Sequence, residues 1–253
     1  MKIRKVSVVI IAFNEERNIA RCIRSVRKIA DDVVVVDSHS TDRTREIALA
    51  EGARVVEHTF EGHVQQKNWA ITQAKYPFIL SLDADEYLSE TLIKSIDVIK
   101  GSGLSDGYTV NRLNFYCGKP IKTCGWYPDK KLRLWNSEKG RWKGTNPHDR
   151  FSMQDDSRIK LLKGDLLHDT YPTKEDFLKQ VDNFATISAK HHKQENLFFL
   201  IYKMIFSPPF KFFKNYIYNL GYNEGFTGIY ICFNQAREVF LKYSRAIRFK
   251  YAS

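Results

Sequence analysis

The strongest structural signal in this chain is Phe78-Ile79-Leu80-Ser81-Leu82-Asp83-Ala84-Asp85-Glu86, an apolar run that ends at two carboxylates one residue apart. Such a run is typical of a buried strand. Side chains alternate along a strand, so Asp83 and Asp85 point the same way if the strand continues through them. Together they offer oxygen ligands to one Mg²⁺ or Mn²⁺ ion, which in turn neutralises a diphosphate. The alternative is that the two acidic residues only open a turn, because the D-x-D pattern is short and common.

The segment before this run alternates between predicted strands and helices. Apolar, β-branched runs predict three earlier strands, at residues 6–12, 33–36 and 54–56. The segments between and after them predict three helices. The first starts near residues 14–16, the second starts near residue 42, and the third covers residues 63–75. This order favours an α/β fold with a mostly parallel central sheet that is flanked by helices.

Polar residues follow the predicted strands where those strands end. Asn14 and Glu15 follow the first strand, Asp37 follows the second, and Asp83 and Asp85 follow the fourth. Ligands of parallel sheets bind at the carboxyl ends of the strands. Three strand ends that deliver polar groups to one edge therefore predict a binding site there.

The pattern changes in the second half of the chain. From about residue 104 the sequence predicts short alternating strands, including 108–112 and 131–135. After Asp169 it predicts helices, over 174–193, 197–218 and 230–243. The chain is therefore expected to form an α/β core with a helical C-terminal extension.

Composition limits the class of protein. The 253 residues are 43% hydrophobic and carry a formal net charge of +11, which predicts a globular protein with a polyanionic partner. The four cysteines form no C-x-x-C pair, which argues against zinc or redox chemistry and favours free thiols in a reducing cytoplasm. The longest apolar tract, Leu197–Phe206, is shorter than the roughly 20 residues that span a bilayer. We expect a cytoplasmic protein that contacts the inner face of a membrane peripherally.

Four motifs give the chain a resemblance to a known family. They are Val6–Glu15, Val34–Thr44, Lys67–Ala70 and Leu82–Glu86. In this order they resemble the inverting family 2 glycosyltransferases of the GT-A fold. Two further segments, Trp126–Leu134 and Asn146–Asp149, are similar to the subgroup of lipopolysaccharide core β-1,4-glucosyltransferases.

The resemblance implies an activity and a domain plan. The expected reaction moves a hexose, glucose or a related sugar, from a nucleotide-diphosphate sugar (a UDP-sugar) to a lipopolysaccharide core or another glycolipid or polysaccharide. The transferase domain is expected over residues 1–190, with a nucleotide-binding half of about 1–100 and an acceptor-binding half of about 101–190. Residues 191–253 are expected to form the basic, aromatic extension.

The resemblance also implies roles in nucleotide binding. Asn14 and Glu15 are expected to line the nucleoside pocket, and Asp37 to accept a hydrogen bond from the base. A carboxylate suits the N–H of a uracil ring because it only accepts. Lys67 is expected near the diphosphate, where a cation offsets phosphate charge. The alternatives are that Asp37 caps the following helix and that Lys67 is a solvated lysine on a helix face.

The remaining implied roles concern the metal and the acceptor. Asp83 is expected near the ribose and the metal, and Asp85 on the metal itself. Asp149 is the candidate base that deprotonates the acceptor hydroxyl opposite the leaving group. The subgroup usually shows His-Glu where this chain has His148 and Asp149, and pairing with a nearby arginine is the alternative for Asp149. His168 is a candidate third contact to the metal or a phosphate.

The C-terminal extension predicts a further binding partner, a membrane surface. Residues 197–218 combine aromatic side chains with Lys203, Lys211 and Lys214, which suits docking to an anionic membrane surface. The alternative is a helical cap that packs on the core.

Two other functions compete with the transferase. A sugar nucleotidyltransferase would require a Gly-rich basic loop after the first strand, whereas this chain has Ala12-Phe13-Asn14-Glu15 there. A nucleic-acid-binding protein is suggested by charge alone, without a recognisable reading helix or aromatic sheet module. We therefore expect a nucleotide sugar and a saccharide acceptor as partners, and no nucleic acid.

Overall fold

The computed structural model describes residues 4–103, 105–145 and 148–251, without the side chains of residues 145, 148 and 149. Residues 1–112 and 129–168 cluster into one unit, and residues 113–128 and 169–253 into a second. The predicted domain boundary at residue 190 remains a prediction.

The first unit begins as predicted, with alternating strands and helices. These are β1 (Val6–Ala12), α1 (Ile19–Val26), β2 (Asp32–Asp37), α2 (Thr44–Ala50), β3 (Arg54–Glu57), α3 (His63–Thr72), β4 (Phe78–Asp83), β5 (Glu86–Leu88) and α4 (Glu90–Ser102). The chain then forms β6 (Gly107–Tyr116), β7 (Lys119–Pro120), β8 (Asp129–Asn136), a short 3₁₀ turn (Ser137–Lys139), β9 (Gly140–Thr145), β10 (His148–Met153) and β11 (Ile159–Tyr171).

The central sheet has a parallel part and an antiparallel part. Its strand order is β3-β2-β1-β4-β8-β6-β11-β5. The first four strands pair in parallel, whereas β8 pairs antiparallel with both β4 and β6, and β11 pairs antiparallel with β5. The predicted α/β fold is confirmed, with the antiparallel strands extending the parallel centre on one side.

Helices cover both faces of the parallel strands because side chains alternate along each strand. On β1, Val8 and Ile10 belong to the large core cluster that includes α1 and α4. Val9, between them, packs in a second cluster with Ala70 of α3. The expectation of helices on both sides is therefore confirmed.

Two local expectations differ from the structure. Helix α1 starts at Ile19 and not near residue 14, because Asn14 has a positive φ of 55° and residues 16–18 form a turn. Strand β4 ends at Asp83, and Ala84 and Asp85 form a turn before β5. The continuous strand that would have placed Asp83 and Asp85 on one face therefore does not form.

The second unit is mainly helical, as predicted. It contains α5 (Lys174–His192), α6 (Leu197–Phe213), a π-helical turn (Lys214–Tyr218), a 3₁₀ turn (Gly221–Glu224) and α7 (Phe226–Tyr251). Phe177 and Val181 of α5 pack against Ile231 and Cys232 of α7, while Leu200 of α6 packs in a separate cluster. No helix in the described part of the chain is long and apolar enough to cross a membrane.

Candidate functional site

The strand ends meet at one edge of the sheet. In the parallel register, Ala12 of β1 lies opposite Asp37 of β2, and Ile11 of β1 lies opposite Asp83 of β4. Asp37 and Asp83 therefore flank the end of β1. This is the edge at which the sequence predicts a binding site.

Asp37 and Asn14 join the loops that follow β2 and β1. Asp37 is fully buried, and its two carboxylate oxygens accept hydrogen bonds from the backbone N–H and the hydroxyl of Ser40. The Asn14 N–H donates to Oγ of Ser40 at 2.9 Å, and Oδ1 of Asn14 accepts from the Thr41 N–H at 2.9 Å. Both oxygens of Asp37 are thus used in holding the loop after β2.

Glu15 lies beside this loop in a partly buried position. Its Oε2 accepts a hydrogen bond from Nδ2 of Asn18 at 2.8 Å. Burial, reinforced by the nearby carboxylates of Asp85, Asp42 and Asp83, raises the pKa of Glu15 from 4.5 to about 7 despite that hydrogen bond. Glu15 therefore changes protonation near neutral pH.

Asp83 is held between two buried cations. Nζ of Lys67 lies 3.2 Å from Oδ1 of Asp83, and Nη2 of Arg133 lies 3.1 Å from Oδ2. Lys67 and Arg133 are only 6% and 3% exposed. Burial acts to raise the pKa of Asp83, but the two cations outweigh it and hold that pKa well below its usual value. The Lys67 side chain is therefore not a solvated lysine on a helix face.

Glu86 connects this ion pair to the antiparallel strands. It is fully buried, its Oε2 accepts the Asp83 N–H at 3.0 Å, and its Oε1 accepts a hydrogen bond from Nη2 of Arg133. Nη1 of Arg112 lies 3.4 Å from the same oxygen. Although burial acts to lower the pKa of Arg133, the carboxylates of Glu86 and Asp83 raise it above its usual value. Arg133 therefore stays charged.

Glu86 and Arg112 are absent from the candidate site residues derived from the sequence. Glu86 directly follows the D-A-D run, and a third acidic residue at the end of a buried strand is a usable signal. Arg112 gives no such signal, since it reaches Glu86 only because β6 is added to the sheet far along the chain.

Asp85 has a different neighbour. In the turn after β4, its Oδ2 lies 3.0 Å from Nε2 of His168 on β11. Within the described ranges, no group of three or more His, Cys, Asp or Glu side chains is placed to hold a metal ion. Mg²⁺ is commonly held by one or two carboxylates together with substrate phosphates. One carboxylate and one imidazole fit such a cation only when a phosphate-bearing ligand supplies further oxygens.

Asp149, the candidate base, has a side chain that lies outside the described residues. Its backbone pairs with Gly144 in the hairpin of β9 and β10. Trp142 of the same hairpin is buried against Trp135 and Phe151, and Nζ of Lys67 lies 4.6 Å from the centre of its ring. Strand β9 is thus in contact with the helix that carries Lys67.

Comparison with known proteins identifies the family. Residues 7–153 match the model of glycosyl transferase family 2, and the chain belongs to that family. The chain is therefore a glycosyltransferase, and the α/β fold expected for the GT-A type is the one observed.

Relatives extend the match along the chain. An uncharacterized glycosyltransferase of Rickettsia typhi, RT0209, is 30% identical over 235 residues, which cover 89% of this chain and 80% of that protein. The lipopolysaccharide core biosynthesis glycosyltransferase LpsC of Rhizobium meliloti is 26% identical over 257 residues, which cover 96% of this chain and 94% of LpsC. Among solved structures, glucosyl-3-phosphoglycerate synthase from Mycobacterium tuberculosis matches with a TM-score of 0.37 and 26% identity, over 45% of this chain and 44% of the synthase.

Proposed function

We propose that this glycosyltransferase moves a hexose, with inversion, from a nucleoside-diphosphate sugar to a lipopolysaccharide core or another glycolipid or polysaccharide acceptor. The observation that carries the proposal is the arrangement after β4, where Asp85 lies beside His168 and Asp83 lies between Lys67 and Arg133. This arrangement combines oxygen and nitrogen ligands for a cation with buried positive charge for phosphate.

The nucleoside end of the donor is proposed to lie at the loops after β1 and β2. Asn14 and Glu15 line the pocket in this proposal. Both oxygens of Asp37 accept hydrogen bonds from Ser40. We therefore assign Asp37 the role of fixing the loop after β2. In this proposal, that loop positions the groups that contact a uracil base. UDP-sugars are the proposed donors.

The diphosphate is proposed to lie between the cations and the metal site. Nε of Arg133 is a buried donor without a hydrogen-bond partner in the part of the chain that the structure describes, which suits a phosphate oxygen. Asp85 and His168 would hold Mg²⁺ or Mn²⁺, with Asp83 close by. A divalent cation at this position would stabilise the negative charge that develops on the leaving diphosphate.

The acceptor is proposed to be activated from the β9–β10 hairpin. Inversion requires a base on the face of the sugar opposite the leaving group, and Asp149 remains the candidate for that base. The similarity to LpsC, a lipopolysaccharide core biosynthesis glycosyltransferase, supports a lipopolysaccharide core or another glycolipid as the acceptor.

The direct test is a transfer assay. Purified protein is incubated with a panel of nucleotide sugars and a truncated lipopolysaccharide core acceptor, with Mn²⁺ or with EDTA, and nucleoside diphosphate release and product mass are measured. We expect transfer from one UDP-hexose that disappears in EDTA and in Asp85→Ala. Undiminished transfer in EDTA would contradict the metal role. Pyrophosphate release from UTP and a sugar phosphate would instead identify a sugar nucleotidyltransferase.

A further inference from the structure

Helix α6 exposes a continuous apolar side to solvent. We define its aromatic face as Phe198, Tyr202, Ile205, Phe206, Phe210 and Phe213, all of which are exposed. Phe198 is 83% exposed and Phe210 is 69% exposed. Spacings of three and four residues place these side chains on one side of the helix. Large apolar side chains usually face the core, so a whole face of exposed ones indicates a binding surface.

The opposite side of α6 is already buried within the second unit. Leu200 is fully buried and packs with Tyr243 and Ala246 of α7, and Met204 packs against the same cluster. The helix therefore has an inner side that fixes it to α7. Its aromatic face points away from that contact.

Charge identifies what the aromatic face binds. Residues 197–223 contain Lys203, Lys211 and Lys214 and no aspartate or glutamate. Nζ of Lys203 lies 5.4 Å from the centre of the Phe199 ring, at the border of the face. A helix with aromatic and aliphatic side chains on one face, lysines beside them and no acidic residues has the composition of helices that lie in the surface of anionic bilayers.

A second copy of the chain fits the same surface less well. A two-fold symmetric dimer would place this face against itself and bring two copies of Lys203 and Lys214 together. Like charges that face each other across an interface oppose association. An anionic bilayer presents the opposite charge to both Lys203 and Lys214.

We propose that α6 lies in the plane of an anionic lipid bilayer, with its aromatic face at the boundary between headgroups and acyl chains and Lys203 and Lys214 directed to lipid phosphates. Lys211 is left out of this set because its charge acts on Glu238 of α7. The helix lies on the membrane and does not span it. Since the surface belongs to the second unit alone, this assignment does not depend on the proposed reaction.

The test is vesicle binding by the full chain. Sedimentation with vesicles of phosphatidylcholine alone, or of phosphatidylcholine with phosphatidylglycerol, measures the partition coefficient. We expect binding to the anionic vesicles, reduced by at least about tenfold in the triple variant Phe198→Ser, Phe206→Ser, Phe210→Ser. The double variant Lys203→Gln, Lys214→Gln should lose about fivefold per lysine, and only on anionic vesicles.

A matched control removes the same number of exposed apolar side chains from the first unit, in the variant Leu49→Ser, Val98→Ser, Leu161→Ser. It should bind vesicles like the unchanged protein, as should Asp85→Ala. Circular dichroism and the melting temperature check that each variant is folded. Equal binding by the Phe triple variant and the control would overturn the proposal. The proposal would also be overturned if the protein did not bind vesicles and instead formed a concentration-dependent dimer that the Phe triple variant abolished.

Discussion

Nε2 of His168 lies 3.0 Å from Oδ2 of Asp85, while the neighbouring carboxylate of the same D-A-D run, Asp83, is enclosed by cations. Two acidic side chains one residue apart thus have different environments, because β4 ends between them. Asp85 is a half-buried side chain next to a metal-binding type of residue. Asp83 has a similar exposure, but it pairs with two buried cations, Lys67 and Arg133. Substitutions at the two positions should therefore have different consequences.

Removal of the Asp85 carboxylate should weaken cation binding and leave the fold intact. We expect Asp85→Asn to change the free energy of unfolding by less than about 1 kcal/mol, because the Asp85 side chain is 27% exposed and pairs with a single imidazole. Mn²⁺ affinity in the presence of UDP should fall about tenfold or more. Titration calorimetry measures the affinity, and urea unfolding measures the stability. Unchanged Mn²⁺ affinity would remove Asp85 from the proposed metal site.

Removal of the Asp83 carboxylate should instead destabilise the protein. Asp83→Asn leaves the buried charges of Lys67 and Arg133 without one of their counter-charges. Breaking a buried ion pair from one side costs about 3–5 kcal/mol, and we expect a loss near the lower end because Glu86 still pairs with Arg133. Urea unfolding of Asp83→Asn beside Asp85→Asn is the comparison. Equal stability of the two variants would be the contrary result.

Glu86 should contribute more to stability than an exposed glutamate does. Glu86→Gln keeps the volume of the side chain but removes the buried negative charge beside Arg133 and Arg112. We expect the free energy of unfolding to fall by about 3–5 kcal/mol. The matched control is Glu138→Gln, at an exposed glutamate, which should change it by less than about 0.5 kcal/mol. If the free energy of unfolding of Glu86→Gln fell by less than about 1 kcal/mol, the ion pairs of Glu86 with Arg133 and Arg112 would not be stabilising the fold.

Glu15 should make stability depend on pH near neutrality. Its pKa is raised from 4.5 to about 7 in the folded protein, so the folded state binds the proton more tightly than the unfolded state. The corresponding stability is present in full below about pH 4.5 and is lost as the pH rises to about 7. Allowing for partial exposure, the loss is about 1–2 kcal/mol.

The variant Glu15→Gln isolates this effect, because glutamine still accepts the hydrogen bond from Asn18. Its free energy of unfolding, measured in urea at pH 5 and pH 8, should fall less over this interval than that of the unchanged protein. Glu61→Gln, at an exposed glutamate, serves as the control. Identical pH profiles for all three proteins would show that Glu15 ionises normally.

The sequence predicts the parallel half of the fold well, because its signals are local. The apolar runs of β1, β2 and β4 and the polar residues behind them are read directly from the chain, and the register brings those strand ends together. The break at Ala84 is not visible in the same way. An alternating D-A-D-E pattern fits a continuing strand as well as it fits a turn.

Contacts between distant segments are the part that sequence patterns miss. Glu86 meets Arg133, 47 positions away, because β8 is placed beside β4 in the sheet. Asp37 looks like a free acceptor at a strand end, whereas Ser40, three positions later, folds back onto both of its oxygens. Strand order and loop closure decide such contacts, and both depend on packing of the whole unit.

The position of Glu86 also bears on how this protein tolerates change. The Glu86 carboxylate accepts hydrogen bonds from the Asp83 N–H at the end of β4 and from Arg133 of β8, and Arg112 of β6 lies beside it as a second cation. A core replacement that shifts β6 or β8 would consequently reach Asp83 in two ways, through the Glu86 carboxylate and through the direct pair of Asp83 with Arg133. Substitutions in the cores of β6 and β8 should thus be tolerated less well than substitutions in surface loops that do not contact Glu86.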